Sequence, residues 1–285
     1  MSSTGKAKVS VSALCRRAGI SRQGYYQGVQ ASRLSKQSEQ LVLELVRSKR
    51  AHHPRLGTRK LHRLLSPEFT RQSLKIGRDK LFGVLRAHNL LVPKRKARGP
   101  RTTDGARTWW KNILDQTPIE APHQGWVADI SYLHTMEGFC YMALISDVYS
   151  RKIVGWDVSE SLELEGALRA LNMALADLPE GKTPVHHSDR GSQYRSKDYT
   201  RRLQDAGCLI SMTEVDHCAE NAQAERVNGI LKGEYYLDMV FRDTRQAKQA
   251  VKAAIKLYNE ERPHLSLKYQ SPRAGASRRL IKQKL

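Results

Sequence analysis

The 285-residue sequence is poor in cysteine. It has four, Cys15, Cys140, Cys208 and Cys218, widely scattered and with no Cys-x-x-Cys pair. This spacing signals neither a zinc knuckle nor a disulfide framework, so reduced thiols in a cytosolic protein are expected. No apolar run approaches the length that crosses a bilayer, and no membrane partner is expected. The opening Met-Ser-Ser-Thr-Gly-Lys-Ala-Lys has no apolar core of the kind a signal peptide needs. Leu34 and Leu41 stand one heptad apart, but position 48 is serine, so no coiled coil is signalled. Acids are scarce at both ends. Residues 1–110 hold five against 25 lysines and arginines, and residues 268–285 hold none against six. The stretch between them, 111–267, is net −5. A basic front and a basic tail around a mildly acidic centre suggest two polyanion-facing ends flanking a metal-binding core. Charge alone does not separate DNA from RNA or an acidic surface, but such binding weakens steeply with salt.

The chemistry concentrates between His187 and Glu234. Asp189 follows a short apolar strand, and the Arg190-Gly191-Ser192 after it reads as a turn that exposes the carboxylate. Residues 219–236 read as a helix. At 100° per residue, Asn221, Glu225, Asn228 and Lys232 share one face, and Glu234 lies about 180° round from Glu225. A third carboxylate, Asp129, sits mid-strand in an alternating run from Val127 to Leu133. A charge there must be paired or bind metal. Two aspartates from strands and a glutamate from a helix make a hard-oxygen set, suited to Mg²⁺ or Mn²⁺ rather than zinc. Two such ions can activate an attacking oxygen and stabilise a leaving one in phosphodiester chemistry. Taken by spacing alone, three unrelated surface acids remain an alternative.

The surrounding motifs are more specific. Trp126-x-x-Asp129-Ile130-Ser131-Tyr132, His187-Ser188-Asp189-Arg190-Gly191-Ser192-Gln193-Tyr194, and Glu225 followed by Leu231-Lys232-x-Glu234 resemble the integrase core of bacterial insertion-sequence transposases. The resemblance is to the OrfB type of insertion-sequence family three, in the retroviral integrase superfamily, and covers nearly the whole chain. It implies that Asp129, Asp189 and Glu225 are the catalytic residues and hold two Mg²⁺ ions, with Mn²⁺ able to substitute. It implies that Lys232, and more weakly Arg190, hold the terminal phosphates. It also implies double-stranded DNA as partner, both terminal repeats and target, with a homo-oligomer forming on it. A zipper protein encoded in an upstream frame, joined by frameshifting, is a further implied partner. One departure stands out: the family reads Asp-Asn-Ala before the glutamate, and this chain has Glu220-Asn221-Ala222. Glutamate is a poor helix cap, so the helix start is placed in doubt rather than Glu225.

The chain divides into five expected parts. Residues 1–50 form a helical segment: a helix-turn-helix-like pair over 9–28, turned at Gly19 and capped by Ser21, then an amphipathic helix over 35–50. Residues 51–91 form a second helix-turn-helix-like unit, with a helical pair over 56–90. Arg59, Lys60, Arg63, Arg78, Lys80 and Arg86 there would face phosphate. His52, His53 and His62 lack nearby cysteines, so no zinc site is expected. Residues 92–118 read as a basic linker, in which Lys94, Arg95, Lys96 and Arg98 can lie along a DNA backbone. Trp109 and Trp110 read as packing on the next domain. Residues 119–242 form the catalytic core, with strands at 125–134, 138–147, 151–158, 183–187 and 208–213 and helices at 161–178, 196–206 and 219–236. Residues 243–285 hold a last helix over 243–261 and a basic, mobile tail. Arg262, in Tyr258-Asn259-x-x-Arg262-Pro263-His264, either touches DNA or fixes that helix.

The expected fold class is α/β (α+β), a ribonuclease H-like integrase core behind small all-α domains. Asp147 and Asp157 are assigned turn or surface roles, and the strand histidines His186 and His187 mainly packing. The expected function is DNA cleavage and strand transfer by a cytoplasmic protein that associates with the nucleoid when DNA-bound. The alternatives are a DNA-binding regulator that does not cut, and a nuclease acting on RNA–DNA hybrids. The basic ends disfavour the nuclease.

Overall fold

The computed structural model describes residues 10–93, 110–214 and 220–277, leaving out the side chains of 31–35. The linker bases Lys94, Arg95, Lys96 and Arg98, together with Trp109, Cys218 and residues 278–285, lie outside the described residues.

The front is helical. Helix α1 (Val11–Arg17) is capped by Ser10 and turns at Gly19, whose φ of 68° favours a residue without a Cβ. Ser21 then caps α2, accepting from the Gly24 amide at 3.0 Å. The short second helix and the separate helix over 35–50 are one continuous element, α2 (Arg22–His52). No proline falls between them to stop it, and its two glycines sit near the start. Only its second half is amphipathic. Val42 and Val46 join Leu56, Leu61, Leu65, Phe69, Leu81 and Leu85 in one buried cluster with α3 (Thr58–Arg71) and α4 (Arg78–Ala87). The boundary expected at 50 therefore falls inside a three-helix unit.

The core is a mixed sheet between two helical layers. Strands β1 (Gly125–Thr135), β2 (Gly138–Asp147) and β3 (Ile153–Ser159) form an antiparallel meander. After α5 (Leu164–Ala176), β4 (Val185–Ser188) returns parallel to β1. Short α6 (Ser192–Arg195) and α7 (Lys197–Asp205) lead to β5 (Leu209–Met212), parallel to β4. The order is β3-β2-β1-β4-β5, the ribonuclease H-like arrangement. One sheet face carries Trp126, Ala128, Ala143 and Ile145 against α5 and α7. The other carries Leu133, Met142 and Leu144 against α8 (Ala222–Glu234) and α9 (Thr244–Glu260). Gly155 allows the first layer to close: a Cβ there would lie 2.1 Å from the Ala170 carbonyl oxygen. Trp110 packs on the same layer.

Two elements carried no legible signal. The two-residue strand β6 (Val240–Phe241) pairs with the far end of β1, and α10 (Pro272–Ala276) folds where a mobile tail is expected. Asp157 is not at the surface. It is buried between Arg169 and Lys248, at 2.8 Å from each. Asp147 holds a turn, accepting from the His123 and Ser150 amides at 2.7 and 2.6 Å. Among the described residues, no helix is long and apolar enough to cross a membrane.

The helical front is seamed to the end of α8. Glu234 accepts two bonds from Arg262, at 2.7 and 2.8 Å, and one from Lys60 at 2.9 Å. Beside it, His53 meets Tyr235 and Glu261, both at 3.2 Å. Arg55 lies 4.0 Å over the Tyr236 ring and 3.5 Å from Asp238. This corrects two assignments. Arg262 is 2% exposed and Lys60 is committed to Glu234, so both hold the seam rather than face phosphate. Burial pushes the Glu234 carboxyl up, but the bonds and charges of Arg262 and Lys60 outweigh it and hold it below the usual carboxylate range. Breaking one side of such a buried pair strands the other charge. Glu234→Gln should therefore cost about 3–5 kcal/mol, read as a lowered urea midpoint, and adding Arg262→Met should recover part of it.

Candidate active site

The site begins with a gap in the sheet. Strand β4 pairs with β1 only at Gly125–Val127, and β6 pairs with it only at His134–Thr135. Between these, among the described residues, the β1 edge from Ala128 to Leu133 has no strand beside it. A buried strand edge must find other partners, and helix α8 supplies some. Asn221, at the start of α8, donates to the Ala128 carbonyl at 3.1 Å. Asn228, two turns on, donates to Asp129 Oδ2 at 2.6 Å. Both asparagines are buried, and both share the helix face of Glu225.

The start of α8 is settled by Glu220. Its carboxylate accepts from Asn112 Nδ2 at 3.0 Å and from the Glu214 amide at 2.6 Å. Glu220, itself helical and followed by a turn at Asn221, thereby ties the entrance of α8 to Asn112 and Glu214. Asn221 occupies the cap position without a side-chain cap bond: its Nδ2 donates to β1, and its Oδ1 is buried and meets no partner among the described residues. The helix consequently begins at Ala222, later than the sequence pattern suggests.

Asp189 follows β4 directly. Its Oδ1 accepts from the Gly191 amide at 2.9 Å, which holds the carboxylate at the turn. Arg190 is turned away, with its guanidinium donating to the Thr213 carbonyl at 2.6 Å and to the Glu214 carbonyl. Its observed part is to tie the Asp189 turn to the end of β5. Glu225 lies in the first turn of α8 and is exposed. Asp129, Asp189, Glu225 and Lys232 all line one cavity of about 640 Å³, along the open β1 edge.

The carboxylates sense one another. Burial pushes the Asp129 carboxyl up to about 7, the Asp189 and Glu225 charges push in the same direction, and the Asn228 bond opposes them. Burial and then the Asp189 charge also raise Glu225. Tyr194, on the cavity wall, is buried and its phenol is pushed far up, so it keeps its proton. Oxygen donors with excess negative charge and no histidine or cysteine among them suit a hard cation. Among the described residues, however, no three acidic, histidine or cysteine side chains are gathered tightly enough to hold a metal ion.

The other basic residues divide by position. Arg59 and Arg78 line a cavity of about 250 Å³ with His62, Arg63 and Tyr269, and Lys80 is exposed. Arg78 is also paired with Asp79 at 2.9 Å. His186 meets the Tyr199 hydroxyl at 3.0 Å, and His187 meets Ser211 at 2.8 Å, so both are held within the sheet. The sequence reading placed Asn221 and Asn228 on the right face but gave them no task. A polar residue on an otherwise packed helix side was the available signal.

Residues 119–218 match a family described as integrase core domain, and residues 206–272 match a second family of the same description. Over 266 residues the chain is 34% identical to an uncharacterised 31 kDa protein of insertion element IS600 from Shigella sonnei, covering 92% of this chain and 96% of that one. It is 33% identical over 270 residues to the transposase for insertion sequence element IS629 of the same species, covering 90% and 88%. It is 30% identical over 249 residues to the transposase InsF for insertion sequence IS3A of Escherichia coli strain K12, covering 80% of each chain.

The raised Asp129 carboxyl sets a pH dependence. Its folded value of about 7 lies above its ordinary 3.8, so between these the folded chain holds a proton that the unfolded chain has released. Stability then falls as pH rises from about 4 to about 7 and stays low above. Asp129→Asn removes this penalty. In chelator, its thermal-stability advantage over wild type should widen by roughly 1–3 kcal/mol between pH 5 and pH 8. An advantage that does not change with pH would show that Asp129 titrates normally.

Proposed function

Because the chain belongs to the IS3-type transposases, which are built on the integrase core, we propose that its acidic cavity cuts DNA at the ends of an insertion element and joins the freed ends to new phosphodiesters. The observation that carries this reading is the convergence of Asp129, Asp189, Glu225 and Lys232 on one cavity. Asp129, Asp189 and Glu225 would hold Mg²⁺, two ions in all, with Mn²⁺ able to substitute. When bound, such ions activate an attacking oxygen and stabilise the leaving one in an in-line displacement. Like charges facing one another without a counter-ion repel, so a loosely spread trio is the natural resting arrangement. The raised Asp129 carboxyl is the strain that a divalent cation would relieve.

The chain's own groups then have separate tasks. Asn228 orients Asp129 by its bond to Oδ2, and the Gly191 amide orients Asp189. Lys232, two turns beyond Glu225 on the same face, would hold non-bridging phosphate oxygens. Arg190, tied to the Thr213 and Glu214 carbonyls, would position Asp189 through the end of β5. Water attacks phosphorus at the element end, the bond from phosphorus to the 3′ oxygen breaks, and a 3′-hydroxyl is released. That hydroxyl attacks a second phosphodiester and displaces its 3′ oxygen. No covalent protein intermediate would form. The exposed bases Arg59, Arg78 and Lys80, and the linker bases Lys94, Arg95, Lys96 and Arg98, would bind the backbone of terminal repeats and target. Bringing two ends together calls for a dimer or larger assembly on DNA.

A second reading, a regulator that binds ends without cutting, is favoured by the ungathered trio. A Mg²⁺-dependent strand-joining assay on the flanking repeats separates the two, run alone and with the product of any overlapping upstream frame. Joining is expected from wild type. Asp189→Asn and Glu225→Gln should each lose on the order of 10³-fold or more in joining while retaining affinity in a gel-shift. Wild type that binds ends but never joins them would establish the regulator instead. Hydrolysis of RNA–DNA hybrids without joining would establish a nuclease.

A further inference from the structure

Among the described residues, part of one face of the β1–β2 hairpin is left open beside the acidic cavity. Along β1, Ala128 and Ile130 pack with α5 and α7, opposite Ile145 and Ala143 of β2. The same face continues with Tyr132 opposite Tyr141 and His134 opposite Phe139, beyond the reach of those helices. The rings pack closely: Tyr132 edge to face with Tyr141 at 5.2 Å and with Phe139 at 6.0 Å, and His134 tilted on Phe139 at 4.8 Å. They nevertheless remain open to solvent, with Tyr132 41% and Phe139 52% exposed. Tyr132, His134 and Phe139 also line the cavity that holds Asp129, Asp189, Glu225 and Lys232.

Rings that only stabilised the hairpin would not need to open into that cavity. We propose that Tyr132 and Phe139 form a stacking platform for an unpaired nucleobase within about three base steps of the phosphodiester under attack. The proposal rests on the strand-transfer reading of the cavity and adds to it a residue pair that positions the DNA end. Three kinds of observation point to a base. The face is aromatic, and aromatic rings take any base by its π-face without sequence preference. It adjoins acids suited to binding cations and a lysine suited to phosphate, so a strand held there presents its bases to the walls. The spacing also fits. Tyr132 is three residues along the strand from Asp129, about 10 Å, or some three base steps at roughly 3.4 Å each. A base inside an intact duplex hides its faces, so the platform selects one that has left the stack. Holding it out frees the backbone beside it to follow the β1 edge toward the acids.

The test uses the full chain and an end duplex with a two-nucleotide unpaired overhang carrying 2-aminopurine, without Mg²⁺. Wild type and Tyr132→Phe should quench the fluorescence on binding. The double variant Tyr132→Ala, Phe139→Ala should bind the duplex portion yet leave the probe bright. Both side chains are exposed, so the fold should tolerate the change, which circular dichroism checks. With Mg²⁺, the double variant should join fully paired ends about tenfold more slowly or worse, and ends already frayed should recover part of the loss. Quenching is read without turnover, so a chain that never joins strands refutes the catalytic reading while leaving the platform measurable. Wild type that leaves the probe bright, or a double variant that still quenches, would overturn the platform. A double variant that quenches normally but changes its oligomeric state by light scattering would assign the face to a second copy of the chain.

Discussion

The core depends on how one helix is pinned to one strand. Asn221 and Asn228 donate from α8 to the Ala128 carbonyl and to Asp129 Oδ2, at 3.1 and 2.6 Å. The first replaces a ladder bond at the β1 edge, and the second fixes the Asp129 carboxylate. They also set the helix over the strand at the register that brings Glu225 to the cavity of Asp129 and Asp189. An asparagine does this better than a charged residue, because it satisfies a buried acceptor without adding to the negative charge already there. Burying Asp129 close to the Asp189 and Glu225 charges leaves a carboxyl group driven toward neutrality.

The same helix is held at its other end by a different device. Glu234, half a turn of face away from Glu225, takes Arg262 from behind α9 and Lys60 from the helical front. One carboxylate thereby ties together three parts of the chain. Burial of the Arg262 guanidinium makes that tie demanding, since each partner is costly without the other. The two faces of α8 divide the work: one meets the strand that bears Asp129, and the other meets the domain in front.

Most of the core was legible because its periodicities are plain. The alternation from Val127 to Leu133 marks β1, and leucines at helical spacing mark α5. The placement of Glu234 opposite Glu225 followed from 100° per residue alone, and that opposite side is the one the front domain occupies. Other features had no local signature. Strand β6 is two residues long and exists only because β1 extends past β4. Lys60 reads as a DNA contact, and Arg262 as either a DNA contact or a fixing residue, because basic residues beside turns usually face solvent. Their partner Glu234 is 174 and 28 residues away in sequence, a distance no pattern spans. The continuous α2 was missed because its first half has no apolar stripe, so the helix there is propagated from the packed second half.

That continuity has a geometric consequence. A helix of 31 residues is a rod of about 46 Å, and its far end is fastened into the three-helix cluster. The small helix α1 is therefore carried at a set stride ahead of α3 and α4. The span is somewhat longer than one turn of duplex DNA, at roughly 34 Å. The rod thus fixes the distance between α1 and the three-helix cluster.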